Sequence, residues 1–158
     1  MERIFECTWI FVGHESQVQK PGDFVRSKLG RHEVVVVRSD DDRIHVLQNR
    51  CAHRGAQFCT AKRGNTLSFV CPYHAWSYST DGTLQGVPHH QSYPPSFKLD
   101  DPANHLFQAP RVDSYRGFVF ASLAPTGMSL LEHLGDMTAA FDNLVDRSPN
   151  GSVTMSEH

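Results

Sequence analysis

Two short motifs in the sequence combine a cysteine with a histidine at a spacing suited to metal binding. One motif is Cys-x-His, the other is Cys-x-x-His, and seventeen residues lie between them. Thiolate and imidazole groups are common ligands of iron, zinc and copper in proteins. The motifs therefore predict a metal site with four ligands, Cys51, His53, Cys71 and His74.

Two cysteines and two histidines form the ligand set of a Rieske [2Fe-2S] centre. In that centre, cysteines hold one iron and histidines replace cysteines on the other, which raises the reduction potential. A structural zinc ion takes the same ligands, but its motifs usually pair cysteine with cysteine and histidine with histidine. Here each cysteine is followed by a histidine. This order favours a centre that carries one electron at a time.

The residues around the ligands predict two irregular loops, at about residues 49–58 and 69–79, here called the first and second ligand loops. Gly55 gives the first loop backbone freedom, and Pro72 stiffens the second. Backbone N–H groups that follow each cysteine are expected to donate hydrogen bonds to sulfur and to tune the potential. Three aromatic residues are expected to shield the centre from water, with ordinary core packing as the alternative: Tyr73, Trp76 and Tyr78.

The pattern of apolar residues predicts a mainly β chain with a short helical segment at its C-terminal end. Alternating or β-branched segments bounded by turn residues predict strands at 9–13, 24–29, 34–37, 44–47, 65–70, 76–79, 83–86, 112–115 and 118–123. Gly64-Asn65 is predicted as a turn, and Asp81-Gly82 as a hairpin turn. Helical spacing of apolar residues begins after Ser129, with Gly135 a candidate break. Each ligand loop then lies at the end of a hairpin.

Composition predicts one domain and gives no indication of nucleic-acid or membrane binding. The 158 residues carry a net charge of −2 without a run of basic residues. No apolar run approaches the ~20 residues that cross a bilayer, and residues 1–6 lead into no signal peptide. We therefore expect a cytoplasmic protein. Cys7 and Cys59, which lie outside the motifs, are expected to be reduced and partly buried.

These motifs and several further segments resemble the α (terminal oxygenase) subunit of Rieske non-haem iron aromatic-ring-hydroxylating oxygenases, in its N-terminal part. The resemblance extends over nearly the whole chain through residues 4–6, Trp9, and 12–16, 21–24, 49–55, 71–78, 81–84 and 115–121. Ala56 and Tyr73 stand where Rieske proteins of respiratory and photosynthetic complexes have additional cysteines. Ala75 stands where glycine is usual in the family, and it is expected to restrict the loop slightly.

The resemblance implies a Rieske-type fold of antiparallel sheets in which two hairpin loops clamp a [2Fe-2S] cluster. Residues 1–125 would form the Rieske domain, and residues 126–158 would be a helical segment leading toward a catalytic domain absent from this sequence. The cluster ligands would be Cys51, His53, Cys71 and His74. Five neighbours would surround them: Arg54, Gly55, Tyr73, Ala75 and Trp76.

The resemblance also implies a role in electron transfer. A ferredoxin or a flavin reductase would supply electrons, and the chain would relay them to a mononuclear iron in a neighbouring α subunit of a trimer, with β subunits as further candidate partners. Family members hold that iron with two histidines and a carboxylate. Five histidines follow the cluster motifs, and no pair of them has the spacing required to hold that iron: His89, His90, His105, His133 and His158. This chain alone is therefore expected to have no catalytic residues.

Two alternatives remain open from the sequence. A free-standing Rieske ferredoxin would also carry electrons, but such proteins are shorter and lack both the N-terminal pattern and the C-terminal helix. A zinc-stabilised interaction domain is the other alternative. The substrate of the complete oxygenase is expected to be an aromatic compound, and the sequence does not distinguish addition of one oxygen atom from addition of two.

Overall fold

The computed structural model describes residues 7–149 and 151–155, which form ten strands in three antiparallel sheets followed by two helices. Four expectations rest on residues outside this range: segment 4–6 of the resemblance, the character of the extreme N-terminus, Asn150 at the end of the helix, and His158. The predicted fold class, mainly β with a short C-terminal helical part, is confirmed.

Strand order places the first and last strands side by side in one sheet. The first sheet has the order β1-β10-β9, with β1 at Ile10–His14, β10 at Phe118–Ser122 and β9 at Arg111–Tyr115. The second has the order β4-β3-β2-β5, at Ile44–Gln48, His32–Arg38, Asp23–Leu29 and Arg63–Asn65. The third has the order β6-β7-β8, at Ser68–Val70, Ser77–Ser79 and Leu84–Gly86.

Strand β3 is covered on both faces, as its run of valines predicts. Val35 and Val37 pack into a core that also contains both predicted cysteine ligands. Val34 and Val36 point to the other side, into a core shared with the first sheet. All four side chains are buried. β-branched residues suit a strand that is buried on both faces. One face of β3 therefore packs against the core that contains the two predicted cysteine ligands.

The predicted helical segment forms two helices, α1 at Leu130–Leu134 and α2 at Met137–Asp146. Ser129 caps α1 with Glu132 in a capping box, and Gly135 ends α1 with φ of 47°. Leu130, Leu134 and Val145 pack on the first sheet. Other apolar residues of the two helices are less covered, and three of them are exposed: Leu131, Met137 and Leu144.

The strand predicted at residues 65–70 is confirmed only for Ser68–Val70, which form β6, and the turn predicted at Gly64-Asn65 is wrong. Gly64 and Asn65 lie in β5, which pairs with β2, whereas β6 pairs with β7 of another sheet. The Asn65 amide anchors β5 by donating hydrogen bonds to Pro21 O at 2.9 Å and to Asp23 Oδ1 at 2.8 Å. The chain therefore changes sheets at residues 66–67, and this single break divides the predicted strand.

The hairpin turn predicted at Asp81-Gly82 is confirmed, because it joins β7 to β8. Arg116-Gly117 joins β9 to β10. In the described part of the chain, no helix combines the length and apolar character that crossing a bilayer requires.

Candidate metal centre

The first ligand loop begins where β4 ends and closes on itself through the backbone. The Cys51 N–H donates to Ala56 O at 2.8 Å, and the Gly55 N–H donates to Cys51 O at 2.8 Å. Gly55 has φ of 73°, a left-handed conformation that glycine adopts without strain. The base of the loop is held by the buried Asn49 amide, which makes hydrogen bonds of 2.7 and 2.9 Å with the Cys59 backbone.

The second ligand loop joins β6 to β7 and repeats the same turn. The Cys71 N–H donates to Trp76 O at 2.8 Å, and the Ala75 N–H donates to Cys71 O at 2.9 Å. Ala75 takes the left-handed position with φ of 53°. The expected restriction at Ala75 is therefore a definite backbone strain, because a Cβ atom disfavours this region.

The two loops bring the four predicted ligands together as two pairs of like groups. Cys51 and Cys71 are buried, and their thiols lie close enough for Cys71 to affect the pKa of Cys51. The rings of His53 and His74 are half-buried, with centroids 4.7 Å apart and planes at 75°. Among the described residues, no three His, Cys, Asp or Glu side chains are grouped as ligands of a single ion.

This arrangement fits the ligand requirements of a [2Fe-2S] cluster of the Rieske type. Such a cluster needs a pair of thiolates for one iron and a pair of imidazoles for the other. The Nδ1 atom of His53 is buried and has no hydrogen-bond partner in the described part of the chain. Leaving a buried polar atom unpaired costs free energy, so an unpaired ring nitrogen next to a second imidazole, on a loop that also carries a buried thiol, is consistent with a metal ligand.

Electrostatics at the site favour the neutral form of the His53 imidazole. Burial lowers the pKa of His53, and the nearby charges of His74 and Arg54 lower it further. Burial raises the pKa of the Cys51 thiol, whereas hydrogen bonds from Tyr78 and from the His53 N–H lower it. A metal ion must therefore displace the thiol proton, which couples metal binding to proton release.

Tyr78 has a role that the sequence did not reveal. Its side chain is fully buried, and its hydroxyl lies 3.1 Å from Cys51 Sγ. The Ala52 N–H donates to the same hydroxyl oxygen at 3.2 Å, which leaves the hydroxyl proton available to the sulfur. Burial raises the pKa of Tyr78, so the hydroxyl stays a donor. Shielding or core packing was expected of Tyr78, and it also hydrogen-bonds a predicted ligand.

Trp76 covers one imidazole, as expected, together with residues of the loop at 87–105. The indole stacks on His53 with ring centroids 4.7 Å apart and planes at 12°. Its Nε1–H donates to the hydroxyl of Tyr93 at 3.1 Å, and Phe97 packs on Tyr93. The sequence feature that could have indicated this cover is the pair of aromatic residues, Tyr93 and Phe97, on either side of two prolines at 94 and 95.

Other predicted neighbours lie at the surface. Tyr73 packs on His74 with ring centroids 3.9 Å apart, but 62% of its surface is exposed, so it does not shield the site by burial. Arg54 is exposed beside His53. Outside the motifs, Cys59 is buried as expected, whereas Cys7 is exposed, contrary to the expectation of partial burial.

Comparisons with known proteins agree with this geometry. The family model of the Rieske [2Fe-2S] domain matches residues 8–115. The chain is 45% identical to the N,N-dimethyl phenylurea N-demethylase subunit alpha of Sphingobium sp. (strain YBL2), over 96% of this chain and 33% of that relative. It is 38% identical to the 2-halobenzoate 1,2-dioxygenase large subunit of Burkholderia cepacia, over 94% of this chain and 32% of that subunit.

A solved structure gives the same result. The naphthalene 1,2-dioxygenase from Rhodococcus sp., bound to indole, matches with a TM-score of 0.87 and 40% identity, over 94% of this chain and 34% of that one. The chain thus spans about a third of the length of the relatives that it matches. It belongs to the Rieske [2Fe-2S] domain family and corresponds to the Rieske portion of Rieske oxygenase α subunits.

Proposed function

We propose that this chain is the electron-relay part of an aromatic-ring-hydroxylating oxygenase, with Cys51, His53, Cys71 and His74 as ligands of a [2Fe-2S] cluster. The proposal rests mainly on one observation, the pairing of two buried thiols with two half-buried imidazoles across two equivalent turns. When bound, such a cluster supplies a one-electron redox couple.

Different residues of the chain have different roles at this site. The two cysteines lie in the apolar core, where Tyr78 and the His53 N–H donate hydrogen bonds to the Cys51 sulfur. Such hydrogen bonds stabilise the added negative charge of a reduced centre and so set its potential. Trp76 and the loop at residues 87–105 exclude water from one face of His53. The partly exposed edges of His53 and His74 give a redox partner its closest approach.

The larger enzyme in which this relay works is inferred from the relatives. Their names include an N-demethylase of a phenylurea and dioxygenases of halobenzoate and benzene. The common element is an aromatic compound, and we propose that class as the substrate. Residues 1–125 would form the Rieske domain and residues 126–158 the connection to a catalytic domain with a mononuclear iron. A ferredoxin or flavin reductase would be the donor, and other α subunits, with β subunits, would complete the oligomer.

Potentiometric titration of the chain tests this function. We expect a one-electron curve, with a midpoint within the range of about −150 to +300 mV that histidine ligation gives. Replacing His53 and His74 together by cysteine should move the midpoint toward the value of about −400 mV typical of an all-cysteine cluster, or prevent cluster assembly. His90→Cys, at an exposed position in the loop at residues 87–105, is the matched control and should leave the midpoint unchanged. An unchanged midpoint in the double variant would contradict the ligand assignment.

A further inference from the structure

The core shared by the first and second sheets has a pocket at one end, with a volume of about 220 Å³. We call it the inter-sheet pocket. Its floor is apolar and consists of four residues of that core: Leu29, Val34, Val46 and Ala109. Each of these residues is at most 4% exposed, so the pocket reaches into the hydrophobic core itself.

Backbone hydrogen bonds fix the walls of the inter-sheet pocket, because the chain before β9 runs beside β4. The Gln48 N–H donates to Phe107 O at 2.8 Å. The Ala109 N–H donates to Val46 O at 2.8 Å. Leu123, directly after β10, adds a side chain next to the first sheet. Since its walls are held by backbone pairing, the pocket is preformed, as ligand pockets usually are.

Two polar side chains line the pocket. Gln48 Nε2 lies 3.0 Å from His32 Nδ1. With the amide donating to Nδ1, the neutral imidazole carries its proton on Nε2. His32 then offers an N–H donor to a ligand, and Gln48 offers a carbonyl acceptor. Among the described residues, no Lys, Arg, Asp or Glu lines the pocket, so a charged ligand would lose hydration without gaining a counterion.

The volume of the pocket suits a single aromatic ring. An apolar cavity of about 150 Å³ in another protein holds benzene, and pockets for drug-sized ligands have about 300–1,000 Å³. The inter-sheet pocket lies between these limits, with room for one ring and one small substituent. Such a ring would restore packing contacts that the open floor lacks. Phe107 lines the pocket and is 51% exposed, so its ring can also pack on the ligand.

We propose that the inter-sheet pocket binds a neutral aromatic molecule with one ring and one hydroxyl or amino group. The ring packs on the apolar floor, and the substituent exchanges hydrogen bonds with the imidazole of His32 and the amide of Gln48. Binding is reversible and involves no covalent step. The inference goes beyond the proposed function, because no predicted cluster ligand lines this pocket.

Methyl NMR spectra of the chain, recorded during a titration with phenol, test the proposal. We expect one phenol per chain and a dissociation constant on the order of 1 mM, which is within reach of a ligand of this size. Ring currents should shift the methyl signals of Val34, Val46 and Ala109. The signals of Val70 and Leu144, which are exposed elsewhere, should stay in place. Shifts that do not saturate, or that are absent from the three pocket methyls, would overturn the proposal.

Filling the pocket should prevent binding. Ala109→Leu adds three carbon atoms at the floor and should abolish phenol binding at concentrations that saturate the unmodified chain. Ala139→Leu makes the same change at an exposed position of α2 and is the matched control. This control should bind phenol like the unmodified chain. Equal phenol binding by the two variants would place the ligand elsewhere, and the proposal would be wrong.

A second variant tests the polar contact without adding bulk to the core. Gln48→Met keeps the length of the side chain and removes its hydrogen-bonding groups. Affinity for phenol should fall about fivefold, the equivalent of one hydrogen bond, whereas affinity for benzene should be unchanged. Equal losses for phenol and benzene would show that Gln48 acts only through packing, which would contradict the assigned class of ligand.

Sedimentation velocity separates a small ligand from a second copy of the chain as the occupant of the pocket. We expect phenol to leave the sedimentation coefficient of the chain unchanged. A dimer that dissociates on addition of phenol, or in the variant Phe107→Ser, would mean that an apolar side chain of a second copy fills the pocket. The small-ligand proposal would then be wrong.

Discussion

The two ligand loops form the same backbone turn from different sequences. In each, the cysteine N–H bonds to a carbonyl five residues later, and the cysteine carbonyl accepts a bond from the N–H four residues later. The histidine is the second residue after cysteine in the first loop and the third in the second loop. The same backbone turn thus carries its histidine at a different position in each loop, so the two loops are similar but not identical.

The surroundings of the loops differ more than their backbones. The first loop has glycine at the left-handed position, a buried tyrosine hydroxyl on its cysteine and two exposed arginines. The second loop has alanine at that position and an exposed tyrosine on its histidine. The comparison shows that hydrogen bonding to sulfur and surface charge are concentrated on the first loop, while the second loop carries backbone strain and an apolar surface.

The largest effect is expected from adding a methyl group to the first loop. Gly55→Ala places a Cβ atom at φ of 73°, which costs about 1–2 kcal/mol because left-handed backbone is disfavoured for alanine. Arg50 can move its flexible end away, so its displacement adds little. Urea unfolding should show this loss of stability. If Gly55→Ala left the free energy of unfolding unchanged, the two turns would share a backbone geometry but not its energetic cost.

Tyr78→Phe tests the asymmetry between the two sulfurs. Removing a hydrogen bond to Cys51 Sγ disfavours the reduced state, so the midpoint potential should fall by about 40 mV, the equivalent of a hydrogen bond worth about 1 kcal/mol. Tyr93→Phe makes the same chemical change next to Trp76 and touches neither sulfur, so it is the matched control. Equal shifts in both variants would show that general packing sets the potential.

Ala75→Gly is the converse of the change in the first loop. Glycine relieves the strain at φ of 53° but adds conformational freedom to the unfolded chain, so the net gain should be only about 0.5 kcal/mol. The same urea titration measures it. A marked loss of stability would mean that the alanine methyl makes contacts that offset its strain.

The smallest effect concerns a buried imidazole outside both loops. His14 is buried, its Nε2 has no partner among the described residues, and burial lowers its pKa from the usual 6.5. The folded chain therefore binds this proton less readily than the unfolded chain, and stability is lost as pH falls below 6.5 toward the folded-state pKa.

His14 caps a single 3₁₀ turn at Glu15–Gln17, where its side chain accepts a hydrogen bond from the Ser16 N–H. His14→Asn keeps a side-chain acceptor for that N–H and removes the titrating group. The variant should lose less stability than the unmodified chain between pH 7.5 and pH 5.5 in urea titrations. Identical losses would show that His14 does not contribute to acid sensitivity.

The sequence predicted the parts of this molecule that depend on local chemistry. Ligand spacing, the Asp81-Gly82 hairpin and the valine strand are all determined by near neighbours in the chain. The contact from Tyr78 to Cys51 joins residues 27 apart, and only the fold brings its hydroxyl to that sulfur. Likewise, the sheet change after Asn65 depends on bonds to Pro21 and Asp23, which lie more than forty residues earlier.

Electron paramagnetic resonance of the dithionite-reduced chain, combined with iron and sulfide analysis, tests the central claim most directly. We predict two irons and two sulfides per chain and a spectrum with the low average g value of mixed nitrogen and sulfur ligation, lost on replacing His53 or His74 by alanine. A colourless protein containing one zinc ion, or a spectrum that the histidine replacements leave unchanged, would contradict the account.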